Sequence, residues 1–315
     1  VTETVRATLA RALGTLGGEG ARSDAEELLS RVLGCGRGDL AVRGDSRLGA
    51  EQIALLDRWL ERRRAGEPVQ YITGRAAFRG LDLAVTPAVL VPRPETEVLV
   101  EEVLRVLRSE SARWPAPHVL DLGTGSGAIA LSIAQEHAAA DLWGTDSSAA
   151  ALDVAAANAA RLGLADRVRW LEGDWFDALA SEEALAAGVP ERFEAVVANP
   201  PYIATGEWDR LPRDVREHEP AAALFSGPTG LEALRDLVDL SPDHLAPDGL
   251  LALEVAEARA SEVHAWLDGA REWRSVRLAE DLAGRPRVLL ARRAPSAANT
   301  PAGWRTEAAE RRSRP

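Results

Sequence analysis

Residues 118–135 read HVLDLGTGSGAIALSIAQ, and this stretch decides the fold. His118–Leu122 is a short apolar run of strand length, and Ser126–Gln135 has the small and branched apolar residues of a buried helix. Between them Gly123, Gly125 and Gly127 alternate with Thr124 and Ser126. Glycine permits a tight turn and lets a ligand approach the backbone. A strand, a glycine loop and a helix in this order form a ligand-binding turn of an open sheet.

Reading outward, strands and helices keep alternating. The pattern predicts strands at Asp141–Thr145, Val168–Leu171, Phe193–Ala198 and Leu250–Val255, with helices over 148–161 and 229–240. Val276–Leu278 and Val288–Ala291 read as a final antiparallel pair. The expected class is therefore α/β, with a doubly wound, mostly parallel sheet. Upstream, apolar residues spaced by three and four over 2–64 predict a small helical bundle, with a helix start at Ser23-Asp24. Glycines and prolines over 66–94 mark a linker, in which Leu81, Leu83 and Val85 pair with Val89–Val91 in a short hairpin. Pro94 is read as the first residue of a helix reaching Arg108. The expected domains are thus 1–65 helical, 66–94 linker, 95–294 catalytic, and 295–315 a disordered polar tail.

The glycine loop contains no Lys-Ser/Thr, as a phosphate-cradling loop requires. Asp121 stands just before it, where it repels phosphate and welcomes a cation. That suits S-adenosylmethionine, whose amino-acid part carries an ammonium and whose sulfur is positive. Asp146 ends the next strand, about 20 residues on, where an acid accepts the two hydroxyls of a ribose; it serves equally as a helix N-cap. Asp174 and Trp175 follow the third strand: an acid can accept an adenine amino group, and an indole can flank its ring or simply close the core.

Asn199-Pro200-Pro201-Tyr202 follows the apolar strand Phe193–Ala198 directly. Two prolines remove two backbone donors and fix two φ angles, leaving rigid carbonyls. Asn199 adds a side-chain acceptor and Tyr202 a flat aromatic face. Together they suit a planar NH2 group, on an amide or on a nucleobase.

Composition bounds the rest. The chain has 315 residues, 46% of them apolar, enough for a large core in two domains. No run approaches the ~18 apolar residues of a membrane helix. The start lacks the marks of a signal peptide, and Cys35 has no partner for a disulfide or a cysteine-based zinc site. The expectation is a cytoplasmic protein with no membrane partner and no metal. Residues 1–94 hold 14 Arg against 12 acids and the last 21 residues hold 4 Arg against 2 Glu, so of the net −12 the stretch 95–294 carries −16. Such a surface is poorly suited to tracking a phosphate backbone, so stable nucleic-acid binding is not expected. A monomer is expected.

The Asn-Pro-Pro-Tyr motif with Asp121–Gly127 resembles the class I S-adenosylmethionine methyltransferases that modify amide or exocyclic nitrogen. Glu67-Pro-Val-Gln-Tyr-Ile-Thr-Gly74, Phe78, Val91-Pro-Arg-Pro-Glu-Thr-Glu97 and Glu219-Pro220 narrow the resemblance to the bacterial peptide-chain release factor N5-glutamine methyltransferases, the PrmC or HemK family. It covers roughly residues 5–293 and departs at Glu254-Val-Ala-Glu-Ala-Arg259, where the family shows Glu-Ile-Gly-x-x-Gln. The resemblance implies a seven-stranded sheet behind a helical domain that recognises substrate. It also implies methyl transfer from S-adenosylmethionine to the glutamine of the Gly-Gly-Gln motif in release factors. Asn199, Pro200 and Tyr202 are then catalytic, and Asn199, Pro200, Pro201 and Tyr202 hold the substrate. Asp121, Gly123, Thr124, Gly125, Ser126, Gly127, Asp146, Asp174, Trp175 and Asn199 hold the cofactor. The alternatives are a glutamine methyltransferase of a ribosomal protein, a nucleic-acid adenine or guanine N-methyltransferase, and a binding module that has lost catalysis.

Overall fold

A computed structural model describes residues 3–295. The tail expected to be disordered lies outside the described residues, Pro295 excepted. By its contacts the chain divides into two compact units. One runs to Val91 and includes Gly206–Ala223; the other holds Pro92–Thr205 and the chain from Leu224 onward.

The first unit contains α1 (Val5–Leu16), α2 (Ala21–Leu33), α3 (Asp39–Val42), α4 (Ala50–Arg64) and α5 (Val69–Thr73). Val5, Leu28, Leu29, Leu48, Leu56 and Leu60 form its core, on the periodic faces that the sequence marks. Helix α2 starts at Ala21, two residues ahead of the expected Ser23-Asp24, because Gly20 takes a left-handed φ of 81° and turns the chain in. Asp24 lies in the first turn and accepts from Arg63 Nε at 2.7 Å.

The hairpin also differs from expectation. It pairs β1 (Arg75–Phe78) with β2 (Leu81–Ala84), and Val89–Val91 forms no strand. Arg79 and Gly80 both have positive φ, 44° and 80°, which makes a two-residue turn matched to strand twist. Downstream, the chain turns at Thr86-Pro87, where Val89 N donates to Thr86 O at 3.1 Å.

The second unit opens with α6 (Thr96–Ser109). Pro94 lies outside this helix, whose N-cap is Glu95. Then follow β3 (His118–Leu122), α7 (Ala128–Glu136), β4 (Asp141–Asp146), α8 (Ala149–Arg161), β5 (Val168–Glu172), α9 (Glu182–Ala186) and β6 (Phe193–Ala198). The short α10 (Arg213–His218) belongs to the first unit, and the second resumes with α11 (Glu232–His244), β7 (Leu245–Glu254), α12 (Glu257–Asp268), β8 (Trp273–Glu280) and β9 (Pro286–Arg293). The expected helix over 229–240 thus begins later and continues through Pro242.

The seven strands lie in the order β5-β4-β3-β6-β7-β9-β8. All neighbours are parallel except β7–β9 and β9–β8. The winding reverses between β3 and β6, since β3 is followed by β4 on one side and β6 lies on the other. An open parallel sheet parts its loops at such a reversal, and ligands bind at the carboxyl ends of those strands.

Candidate active site

Strand register brings the functional residues together. Leu122 pairs with Thr145 on one side and with Ala198 on the other, and Ala198 pairs with Leu253. The next residue on each strand is therefore Asp146, Gly123, Asn199 or Glu254, in one row along the carboxyl edge. Three of these are expected site residues from distant parts of the sequence. The fourth, Glu254, was not expected.

The glycine loop is held by backbone and carboxylates. Gly123, Gly125 and Gly127 have φ of 69°, 55° and 81°, a region that strains other residues. Gly127 is also crowded: a Cβ there would meet Leu131 at 3.0 Å and the Trp170 ring at 3.2 Å. Asp121 is fully buried, and its Oδ2 accepts from the Thr124 hydroxyl at 2.6 Å and from Ala130 N at 3.2 Å. The Thr124 side chain thus faces inward. Ser126 is buried too, and its carbonyl accepts from Asn158 Nδ2 at 2.9 Å.

Asp146 fastens the loop from the next strand. One of its oxygens accepts from Gly125 N at 2.9 Å and the other from Ser148 N at 3.0 Å. Ser148, rather than Asp146, caps α8, its side chain accepting from Ala151 N. Each carboxylate oxygen keeps a lone pair for a hydroxyl. Trp175 is half-buried at a positive φ of 43°, with its ring against Gly123 and its body on the core. The reading of the indole as a residue that closes the core is thus met, and its ring also lies beside the glycine loop. Asp174 beside it is exposed.

S-adenosylmethionine fits these residues on two observations. Asp121 Oδ1 is buried without a hydrogen-bond partner, and burial pushes this carboxyl up to about 7, so a neighbouring cation would favour its ionised form. Gly125 faces open space, since a Cβ on it would meet nothing within 4 Å.

The second loop is held by side chains. Asn199 donates from Nδ2 to the Thr96 hydroxyl at 3.1 Å, and its Oδ1 accepts no hydrogen bond among the described residues. Pro200 is buried; Pro201 and Tyr202 are half-buried. Burial, and the nearby Glu254, push the Tyr202 phenol up to about 12, so it stays protonated. Behind the motif, Ile203 N donates to Leu224 O at 3.0 Å and Ser226 N to Ile203 O at 2.9 Å. Gly230 approaches so closely that a Cβ would lie 2.5 Å from Tyr202 O. The loop therefore has little freedom to move.

The chain is similar to known proteins over most of its length. A family model described as the PrmC N-terminal domain matches residues 4–74, and the methyltransferase small domain matches residues 96–211. A release factor glutamine methyltransferase of Xylella fastidiosa is 44% identical over 271 residues, covering 86% of this chain and 93% of that protein. One from Moorella thermoacetica is 42% identical over 283 residues, covering 90% and 95%. One from Gloeobacter violaceus is 38% identical, covering 85% and 89%.

Proposed function

The chain belongs to the release factor glutamine methyltransferases, and from that premise we propose that it methylates the side-chain nitrogen of the glutamine in the Gly-Gly-Gln motif of release factors. The observation that carries this reading is the side-by-side emergence of the glycine loop and Asn199 from paired strands, with the Asn199 carbonyl left unspent.

S-adenosylmethionine, when bound, supplies an electrophilic methyl group on a positively charged sulfur. Asp121 would meet its ammonium, Asp146 its ribose hydroxyls, and Asp174 with Trp175 its adenine. The obstacle lies on the acceptor, because an amide nitrogen's lone pair is delocalised into its carbonyl. Asn199 Oδ1 and the Pro200 carbonyl accept the two amide hydrogens of the glutamine. These two dipoles aim the nitrogen and favour its pyramidal form. They also stabilise the positive charge that grows on it as the new bond forms. The hold of Thr96 on Asn199 and the fixed φ angles of the prolines support this reading, since they leave the reaction little to reorganise. Tyr202 covers the flat amide. After transfer the nitrogen is acidic, and its extra proton leaves to water.

The helical unit is the part of the chain that recognises the protein substrate. In its Arg62-Arg63-Arg64 run, Arg62 is paired with Glu67 at 2.5 Å and Arg63 with Asp24 at 2.7 Å, and Arg62 and Arg64 are both exposed. No helix among the described residues is long and apolar enough to cross a membrane. The protein works in the cytoplasm as a monomer that forms no stable nucleic-acid complex.

The test is incubation with labelled cofactor and, in separate reactions, release factor, ribosomal protein and nucleic acid. Label on release factor alone supports the reading. Label on ribosomal protein or nucleic acid, with none on release factor, overturns it.

A further inference from the structure

Two buried side chains that the mechanism above does not use stand behind Asn199. Thr96, the first residue of α6, is 4% exposed, and Glu254, the last of β7, is 1% exposed. The Thr96 hydroxyl is bonded to the Glu254 carboxylate and also receives the Asn199 amide at 3.1 Å. These residues come from three elements far apart in sequence and meet at the carboxyl edge of the sheet.

We propose that Glu254, acting through Thr96, is a positioning relay that fixes which end of the Asn199 side chain faces the acceptor glutamine; this rests on the reading given under Proposed function. The two ends of an asparagine amide have nearly the same shape, and only hydrogen bonds tell them apart. Methyl transfer needs the oxygen end outward. An ionised carboxylate can only accept, so Glu254 takes the single proton of the Thr96 hydroxyl. Thr96 then has only lone pairs left for Asn199, which must answer with its NH2. Oδ1 is thereby turned away from Thr96 and toward the acceptor. In the reversed orientation, Oδ1 would face those lone pairs, or Thr96 would have to abandon Glu254 and leave a buried carboxylate oxygen bare.

The groups around Glu254 keep this direction adjustable by pH. Burial pushes its carboxyl up to about 7; Arg287 on β9 and Arg93 draw it down, while Glu95 opposes them. The Tyr202 phenol faces it from the loop and is protonated throughout this range. Glu254 Oε2 has no hydrogen-bond partner, so a proton can settle there. A protonated Glu254 can donate, and it then no longer dictates the orientation of Asn199. Turnover is therefore expected to fall as pH drops through about 7.

The experiment compares wild type with Thr96→Val, Thr96→Ser and Glu254→Gln, using single-turnover methylation of whole release factor at saturating cofactor across pH. Cofactor affinity and melting are measured alongside. Thr96→Val should lose roughly 10- to 100-fold in rate with cofactor affinity unchanged, and Thr96→Ser should keep most of the rate. Glu254→Gln can still turn its carbonyl to Thr96, so it should retain part of the rate but lose the acid limb near pH 7. A readout free of activity comes from asparagine labelled with nitrogen-15. The chain has three asparagines, Asn158, Asn199 and Asn299, so the Asn199 amide signal is found by its loss in Asn199→Ala. That signal should titrate near pH 7 in wild type and not in Glu254→Gln. A Thr96→Val rate equal to wild type, a folded Thr96→Ser no better than Thr96→Val, or an unchanged titration in Glu254→Gln overturns the relay. If wild type leaves release factor unmethylated, the functional reading fails, and the asparagine signal still decides the relay.

Discussion

The glycine loop and the Asn-Pro-Pro-Tyr loop leave adjacent parallel strands one residue beyond the Leu122–Ala198 pair, yet they are held in opposite ways. Gly125 is fixed through its backbone amide, which Asp146 accepts, and the left-handed glycines set the path. Asn199 is fixed through its side chain, because the prolines beside it have no amide to offer. Each loop has a buried acid with one unpartnered oxygen, Asp121 behind the first and Glu254 behind the second. On the proposed reading, the first oxygen would meet the cofactor's ammonium, and the second belongs to the ionised carboxylate that orders Thr96 and Asn199. A loop shaped by its backbone grips a ligand whatever small side chains it carries. A loop whose working group is one side chain depends on that side chain's orientation.

The largest break in this comparison is expected at Asn199. Asn199→Ala should lower turnover on release factor by ~10²–10³ while leaving cofactor affinity near normal, because its benefit is concentrated in the transition state. Asn199→Asp should fare as badly. It keeps an acceptor but cannot donate to Thr96, and two carboxylates would then compete for one hydroxyl proton. A matched pair of single-turnover rates and cofactor titrations checks this. Loss confined to cofactor binding would make the two loops alike and refute the contrast.

Next comes Asp121. Its folded carboxyl sits near 7, above the ordinary 3.8, so the protonated form is the one the apo fold favours. Its contribution to stability is full in acid and is lost as pH rises from about 4 through about 7. Asp121→Asn should flatten that slope by on the order of 2–3 kcal/mol, read from denaturant midpoints of apo protein at pH 5 and pH 8. Glu254 has the same sign, so some slope should remain. A slope unchanged by the substitution would deny Asp121 its burial penalty.

Asp146→Ala should weaken cofactor binding by ~1.5–3 kcal/mol, since it removes charge-assisted bonds to hydroxyls and releases the Gly125 amide together. Calorimetric titration measures it, and an unchanged dissociation constant would remove Asp146 from the site. The smallest effect separates two glycines of one loop. Gly125→Ala meets open space, so it should cost only the ~1–2 kcal/mol of a left-handed backbone and act mainly on cofactor affinity. Gly127→Ala adds contacts at 3.0 Å and 3.2 Å and should act mainly on melting temperature. Equal effects of both on both readouts would refute the division.

Much of this was legible in the sequence because it is local. Alternate glycines between an apolar run and a helix announce their loop, and Pro200-Pro201 after a strand announces the other. The sheet follows from strand-helix alternation. What was not legible depends on pairing at a distance. The hairpin partner of Leu81–Ala84 is set by the Arg79-Gly80 turn, whereas the apolar run Val89–Val91 is the stronger pattern by eye. Gly206–Ala223 joins the first unit although it lies deep in the other's sequence, and no composition shift marks it. In the sequence Thr96 is one residue of a helix read from Pro94, and Glu254 one of a strand read to Val255; only the register of β6 against β7 puts Glu254 beside Asn199.

The most direct measurement is fragmentation mass spectrometry of unmethylated release factor after treatment with this enzyme and S-adenosylmethionine. The account predicts one added methyl, placed on the side-chain nitrogen of the Gly-Gly-Gln glutamine and absent with Asn199→Ala. A methyl on any other residue, or one that persists with Asn199→Ala, would contradict it.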